Sequence, residues 1–98
     1  MVTANINAGS GKPSREDLWA ASILLYQQGK YKDSYQYLND LLVHYPHYIF
    51  GYYNLGIIGM KISQKQDAIK GFKEFIQRNP QSWWASVASD HIRRLQLN

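Results

Sequence analysis

The fold is decided by residues 48–80, which read YIFGYYNLGIIGMKISQKQDAIKGFKEFIQRNP. In this stretch apolar residues recur every three or four positions, which is the spacing of one face of an α-helix. A short polar segment around Ser63 separates two such runs, and Pro80 closes the second. The pattern predicts two helices joined by a tight turn, because the residue before a proline resists helical geometry.

The same pattern stands earlier in the chain, since Pro46 precedes Pro80 by 34 positions. A period of this length is typical of two-helix solenoid repeats. Such a unit cannot bury its apolar face alone, so we expect it to stack on a neighbour and to present a surface to a partner rather than a catalytic cleft. A shift of 34 positions pairs Leu18 with Tyr52, Ser22 with Gly56, Ser34 with Ala68, Leu38 with Phe72, Leu41 with Phe75 and Leu42 with Ile76.

The helix boundaries of the first unit follow from its capping residues. Ser14 is expected to cap the first helix, with Asp17 reaching back to it in a capping box. Gly29 ends that helix, because glycine adopts the left-handed conformation of a helix C-terminus without strain. A second helix is expected from about Tyr31 and ends before Pro46.

The second unit repeats this arrangement. A third helix is expected over about residues 48–62, and Ser63 with Gln66 reads as a second capping box that starts the fourth helix. Ser82 is expected to cap a fifth helix over residues 83–96. The prediction is therefore an all-α chain of five antiparallel helices.

The five helices are assigned to two repeats and a cap in a short right-handed α-solenoid. Repeat 1 covers about residues 14–46, repeat 2 about 47–80, and a capping helix about 82–96. In the fifth helix the positions that pack on a partner helix in the full repeats have become polar, and a polar outer face is what the last helix of a finite array needs. These positions are Ser86, Ser89, Asp90 and Arg93. Residues 1–13, rich in Gly, Ser and Asn, are expected to form a flexible tail.

These features resemble the tetratricopeptide repeat family. The second unit matches the loose signature of that family at Tyr52, Leu55, Gly56, Ala68, Phe72 and Pro80. The first unit is more degenerate, with Leu18, Ala21 and Ser22 in place of the aromatic residue, Leu and Gly, whereas Gly29, Tyr31, Ser34, Leu38 and Pro46 agree. Gly59 and Ser63 depart from the pattern in the second unit. Small residues such as Gly56 and Ala68 are expected where two helices cross closely, because added bulk would separate them.

A second apolar stripe runs along the first helix of each unit. In the resembling family this side of the helix lines a concave groove that receives an extended peptide or a partner helix. The same residues could instead pack one repeat against the next, and both interpretations fit the spacing. The candidate groove residues are Trp19, Ile23, Tyr26, Tyr53, Asn54, Ile57, Met60, Lys61, Val87, His91 and Arg94.

The expected function is binding of a protein or peptide with apolar and acidic groups. A polar clamp for a C-terminal carboxylate, found in one subtype of the family, is not expected, because Trp19 and Ile23 occupy two of its positions. The alternative is a self-associating structural module, since two and a half repeats fall short of the roughly three that usually give stability, and a homodimer would supply the missing burial. The net charge of +4 is scattered along the chain, so nucleic-acid binding is not expected.

Catalysis, cofactor binding and metal binding are not expected either. The chain has no cysteine, and no nucleophile stands beside an activating base. The segment AGSGKPS lacks the spacing of a phosphate-binding loop, and His44 and His47 have no third metal ligand nearby. No apolar run approaches the roughly 20 residues that a bilayer requires, so membrane insertion is not expected. Without a secretion signal in this chain the compartment stays open, with the cytoplasm as the default.

Overall fold

The computed structural model describes residues 13–97, and within that range it contains five α-helices and no strand. The helices are α1 (Arg15–Gln27), α2 (Tyr31–His44), α3 (Ile49–Lys61), α4 (Lys65–Arg78) and α5 (Trp83–Leu97). The all-α class and the helix boundaries predicted above are confirmed to within two or three residues. The flexible tail was predicted for residues 1–13, and residues 1–12 lie outside the described range.

The chain divides into two compact units. The first, Met1–His47, contains α1 and α2, which pack against each other. The second, Tyr48–Asn98, contains α3, α4 and α5, and in it α4 packs against both of the other helices. Each unit therefore encloses a core of its own.

The core of the first unit joins one face of α1 to one face of α2. Leu18 and Ala21 from α1 meet Leu38 and Leu41 from α2, and all four are almost completely buried. A buried pair of serines lies between the same helices: the Ser34 hydroxyl donates to the Ser22 carbonyl at 2.7 Å, and the two hydroxyl oxygens are 3.5 Å apart. Each buried hydroxyl therefore has a polar neighbour, as burial requires.

The start of α1 is fixed by polar contacts. The Tyr45 hydroxyl donates to the carbonyl of Pro13, which is buried, at 2.5 Å. The Asp17 amide donates to Ser14 Oγ at 3.3 Å, so the predicted N-cap is confirmed. The return contact differs, because the Ser14 hydroxyl donates to the Glu16 carboxylate at 3.1 Å, and the Asp17 side chain takes no part in it.

The core of the second unit is built on Ala68, Phe72, Phe75 and Ala88, none of which is exposed. Glycines let α3 and α4 approach closely at its centre. A Cβ added at Gly59 would lie 3.1 Å from Ala68 backbone atoms, and one added at Gly71 would lie 3.0 Å from backbone atoms of α3. The close crossing predicted at Gly56 and Ala68 is therefore confirmed.

The first helix of each unit, α1 and α3, ends in the same way. Gly29 has a φ of 78°, and the Lys30 amide donates to the Leu25 carbonyl at 2.9 Å. At the equivalent position Ser63 has a φ of 59°, and the Gln64 amide donates to the Gly59 carbonyl at 2.8 Å. Both are left-handed endings in which late amides satisfy the last free carbonyls of the helix.

This ending corrects the predicted second capping box. Gln64, not Ser63, is the N-cap of α4, and no side chain makes a capping hydrogen bond there. The physical reason is that Ser63 is already committed to the left-handed turn that closes α3. The predicted cap of the fifth helix is confirmed, since the Trp84 amide donates to Ser82 Oγ at 3.0 Å.

Helix α5 separates an apolar side from a polar side. Ala85 and Ala88 are buried, and Ile92 and Leu95 pack against the core of the second unit. On the polar side Ser86, Ser89 and Arg93 are exposed and Asp90 is half-buried, as predicted.

Candidate interaction surface

The predicted stripe in the first unit lies on a side of α1 that is not its main packing face. Helical residues advance by 100° each, so Trp19 and Ile23 each point about 100° away from the buried residue that precedes them, Leu18 and Ser22. Tyr26 follows Ser22 by four positions and lies at the edge of the buried face. All three stripe residues are half-buried. The Tyr26 ring lies 5.2 Å from the Tyr31 ring at the start of α2, which ties the end of the stripe to its own unit.

In the second unit the stripe is formed by Tyr53, Ile57 and Met60 on α3. All three pack against the core cluster around Phe72, yet each keeps part of its surface exposed. We call these six residues, three in each unit, the first-helix stripe. The sequence pattern left open whether these residues pack within the protein or bind a partner. In the second unit each of them packs on the core with one side and faces solvent with another.

Tyr53 contacts three other aromatic rings of the second unit. Its ring centroid lies 5.6 Å from that of Phe72, 5.3 Å from Phe75 and 5.5 Å from Trp84. All three ring pairs are edge-to-face, an arrangement that stabilises aromatic contacts. Burial raises the pKa of the Tyr53 phenol above its ordinary value.

The predicted site residues of α5 are less uniform. His91 stacks on Phe72 with the ring centroids 5.0 Å apart, and it lies 6.4 Å from the Tyr53 ring, so it belongs to the core contacts of the second unit. Val87 is half-buried, and Arg94 is exposed. The Arg94 guanidinium pairs with Asp90 one turn earlier on the same helix at 3.0 Å.

Two polar candidates flank the stripe on α3. The Asn54 amide donates to the Phe50 carbonyl of its own helix at 3.1 Å and stays half-buried. Lys61 is exposed in the last turn of α3, where a positive charge is favoured by the helix dipole. Of the predicted site residues in this unit, the structure brings Tyr53 and His91 together around Phe72.

Three exposed aromatic rings were not singled out from the sequence. Trp83 is 65% exposed, Phe50 44% and Trp84 38%. We call these three residues the aromatic patch. The signal in the sequence is the Trp83–Trp84 pair at the start of a helix, because neighbouring helical residues point about 100° apart and cannot both face the core.

Comparison with protein-family models and with curated proteins finds no match for this chain. Over residues 13–97 no helix is both long and apolar enough to cross a membrane. In the same range no group of three His, Cys, Asp or Glu side chains is placed to share a metal ion.

Proposed function

We propose that this chain is a tetratricopeptide-like repeat module that binds a peptide or a partner helix at Tyr53, Ile57 and Met60, the part of the first-helix stripe in the second unit. The observation that carries the proposal is the partial exposure of Tyr53, Ile57 and Met60, which remain in contact with solvent although they rest on a closed core. Apolar surface held in place by a packed core is characteristic of binding sites on stable proteins, because the partner has little ordering to impose.

The repeat pattern supports the same proposal. Leu38 and Leu41 of the first unit are as fully buried as Phe72 and Phe75, their equivalents in the second. The two units thus use the same positions of their second helices for burial. Two-helix repeats that share a packing plan commonly present their partner-binding residues at equivalent positions.

The test is a selection of peptides from a random phage-displayed library, followed by measurement of their affinity for variants. Tyr53 is unsuitable as a probe, because its truncation would also remove contacts with Phe72, Phe75 and Trp84. Met60→Gln keeps the length of an unbranched side chain and its helix propensity but replaces an apolar end by an amide. Lys61→Glu reverses a charge at the polar end of the stripe.

We expect Met60→Gln to bind the selected peptides at least about tenfold more weakly, as is usual for residues at the centre of an interface, and Lys61→Glu, at its edge, to weaken binding by a smaller factor. Lys70→Glu is the matched control, because it makes the same charge change at an exposed position of α4. Circular dichroism confirms that each variant keeps its helices. The proposal fails if no peptide is enriched, or if Lys70→Glu weakens binding as much as Lys61→Glu does.

Self-association is the competing outcome. It would appear as a dimer of the free protein in size exclusion with light scattering, at concentrations where the peptides bind. A monomer that binds the selected peptides supports the proposal, and a stable dimer that Met60→Gln dissociates would contradict it.

A further inference from the structure

The aromatic patch belongs to a continuous set of ring contacts in the second unit. Trp83 stacks on Trp84 with centroids 4.5 Å apart, and Trp84 contacts Tyr53 at 5.5 Å. Phe50 lies one turn before Tyr53 on α3 and contacts Phe75 at 5.5 Å. Tyr53 and Phe75 are themselves 5.3 Å apart, so the exposed rings at the margin rest on buried ones.

The size of the patch sets what it can bind. An aromatic side chain presents roughly 150–250 Å² of surface, so the exposed parts of the three rings amount to something on the order of 300 Å². A patch of this size commonly marks a binding site on a small protein. It is well below the roughly 800 Å² per partner of a stable protein–protein interface, which favours a short segment over a second globular surface.

The charge around the patch favours an acidic partner. Residues 48–98 hold seven Lys and Arg against three Asp and Glu, whereas residues 1–47 hold four of each, so the whole net positive charge lies in the unit that carries the patch. Two of the three acidic residues, Glu74 and Asp90, pair with Arg78, Arg93 and Arg94, so these pairs cancel charge of both signs and most of the excess lies on the four lysines. The third, Asp67, lies eight residues before Phe75, about 12 Å away along α4.

The local backbone adds to this positive field. Phe50 lies in the first turn of α3, and Trp83 and Trp84 lie in the first turn of α5. Neither first turn contains an acidic residue, whereas the first turns of α1, α2 and α4 each contain at least one. The positive ends of these two helix dipoles are therefore not offset by side chains of their own first turns.

We infer that the aromatic patch is the anchor site for an acidic peptide segment that carries an apolar residue. This inference goes beyond the proposed function, because it adds a contact surface outside the first-helix stripe and names the chemistry of the partner. The exposed rings of Trp83 and Phe50 take the apolar anchor, and the excess of Lys and Arg in the second unit attracts the flanking carboxylates. A second copy of the chain is disfavoured as the occupant, because it would bring two units of net positive charge together.

The experiment uses three matched sets of synthetic peptides, each with a central Trp, Leu or Pro. The anchor is flanked by Asp and Glu in the first set, by Lys and Arg in the second, and by Ser and Gly in the third. The full chain is compared with Trp83→Ser, which removes a mostly exposed ring. Val43→Ser is the control, because Val43 is 75% exposed and lies in the first unit.

We expect the acidic set to bind best and to bind more weakly as salt is added. Trp83→Ser should weaken that binding at least about tenfold, while Val43→Ser leaves it unchanged. The inference is overturned if the acidic set binds no better than the other two, or if Trp83→Ser binds it like the unaltered chain. It is also overturned if the free protein is a dimer that Trp83→Ser converts to a monomer.

Failure of this inference can be told apart from failure of the proposed function. Some peptides from the random library could bind Met60→Gln more weakly and Trp83→Ser as well as the unaltered chain. That result would support the first-helix stripe as the binding site and rule out the aromatic patch. Trp83→Ser removes a side chain outside the first-helix stripe, so the two variants report on separate surfaces of α3 and α5.

Discussion

At the scale of single residues, Ser63 is the clearest departure from ideal local structure. It holds a left-handed conformation with a φ of 59°, which costs a residue other than glycine about 1 kcal/mol. At the equivalent turn of the first unit Gly29 adopts the same conformation without that cost. Gly29 allowed the turn after α1 to be predicted from the sequence. The second was mistaken for a capping box, because Ser followed by Gln three positions later fits that motif equally well.

The first prediction at this scale is that Ser63→Gly stabilises the protein. The change relieves the backbone strain, but it also adds flexibility to the unfolded chain, which offsets part of that gain. We therefore expect a net gain of about 0.5 kcal/mol. Thermal unfolding followed by circular dichroism should show a higher midpoint. Gly29→Ala is the matched control and should lower the unfolding midpoint. No atom lies within 4 Å of the new methyl group, so the loss comes only from the left-handed backbone conformation, which alanine disfavours. A Ser63→Gly variant with an unchanged or lower midpoint would contradict this account of the turn.

Tyr53 shows at the same scale why the site was harder to predict than the fold. Spacing places Tyr53, Ile57 and Met60 on one side of α3, but apolar residues at that spacing serve packing and binding alike. The structure shows that Tyr53 contacts three other aromatic rings and still keeps part of its surface exposed. The division between buried and exposed parts of one side chain depends on neighbours brought together by the fold, and spacing does not encode it.

At the scale of helices, the crossing of α3 and α4 depends on residues without side chains. Gly56 faces the ring of Phe72, and a Cβ there would lie 2.6 Å from ring atoms. Gly59 and Gly71 face backbone instead. The sequence predicted close approach at Gly56 and Ala68 from their small size. Gly71 was not recognised, because a glycine inside a helical pattern carries no indication of what lies opposite.

We predict that Gly71→Ala destabilises the second unit. The new methyl group would lie 3.0 Å from the Gly56 amide nitrogen and the Tyr52 carbonyl oxygen, so α3 and α4 must move apart. Alanine is the better helix former by about 1 kcal/mol, but overpacking of this kind costs more, and the net loss should be about 1–2 kcal/mol.

Urea unfolding of Gly71→Ala measures this loss. Lys70→Ala provides the control, since it changes an exposed neighbour to a residue of similar helix propensity and should leave the midpoint almost unmoved. If Gly71→Ala were as stable as the unaltered chain or more so, helix propensity rather than close crossing would govern this position.

Helix α5 shows which part of an element can be read from the sequence. Its polar side, Ser86, Ser89 and Arg93, is exposed as predicted. This side could be predicted because the 34-residue period alone shows which positions of α5 match the packing positions of the earlier helices. The exposure of Trp83 was not predicted, since Trp is normally assigned to a core. Trp83 is the first residue of α5, and the buried side of that helix begins only at Ala85.

At the scale of the whole molecule, charge and exposed apolar surface are unevenly distributed. The second unit holds all of the net positive charge and all three residues of the aromatic patch. The 34-residue period was visible in the sequence because it repeats, and the helices that it predicts are present. The charge difference between the units could also be counted from the sequence, but its meaning depends on the aromatic rings that the fold leaves exposed in the same unit.

The measurement that tests the central claim most directly is the amide and side-chain NMR spectrum of the isotope-labelled chain during titration with the tightest peptide from the random library. We expect saturable shifts at Ile57, Met60 and Lys61, with the signals of Lys70 and Lys73 on the exposed face of α4 unmoved. Saturable shifts centred on Lys70 and Lys73, with Ile57 and Met60 unaffected, would contradict the claim that the first-helix stripe binds the partner.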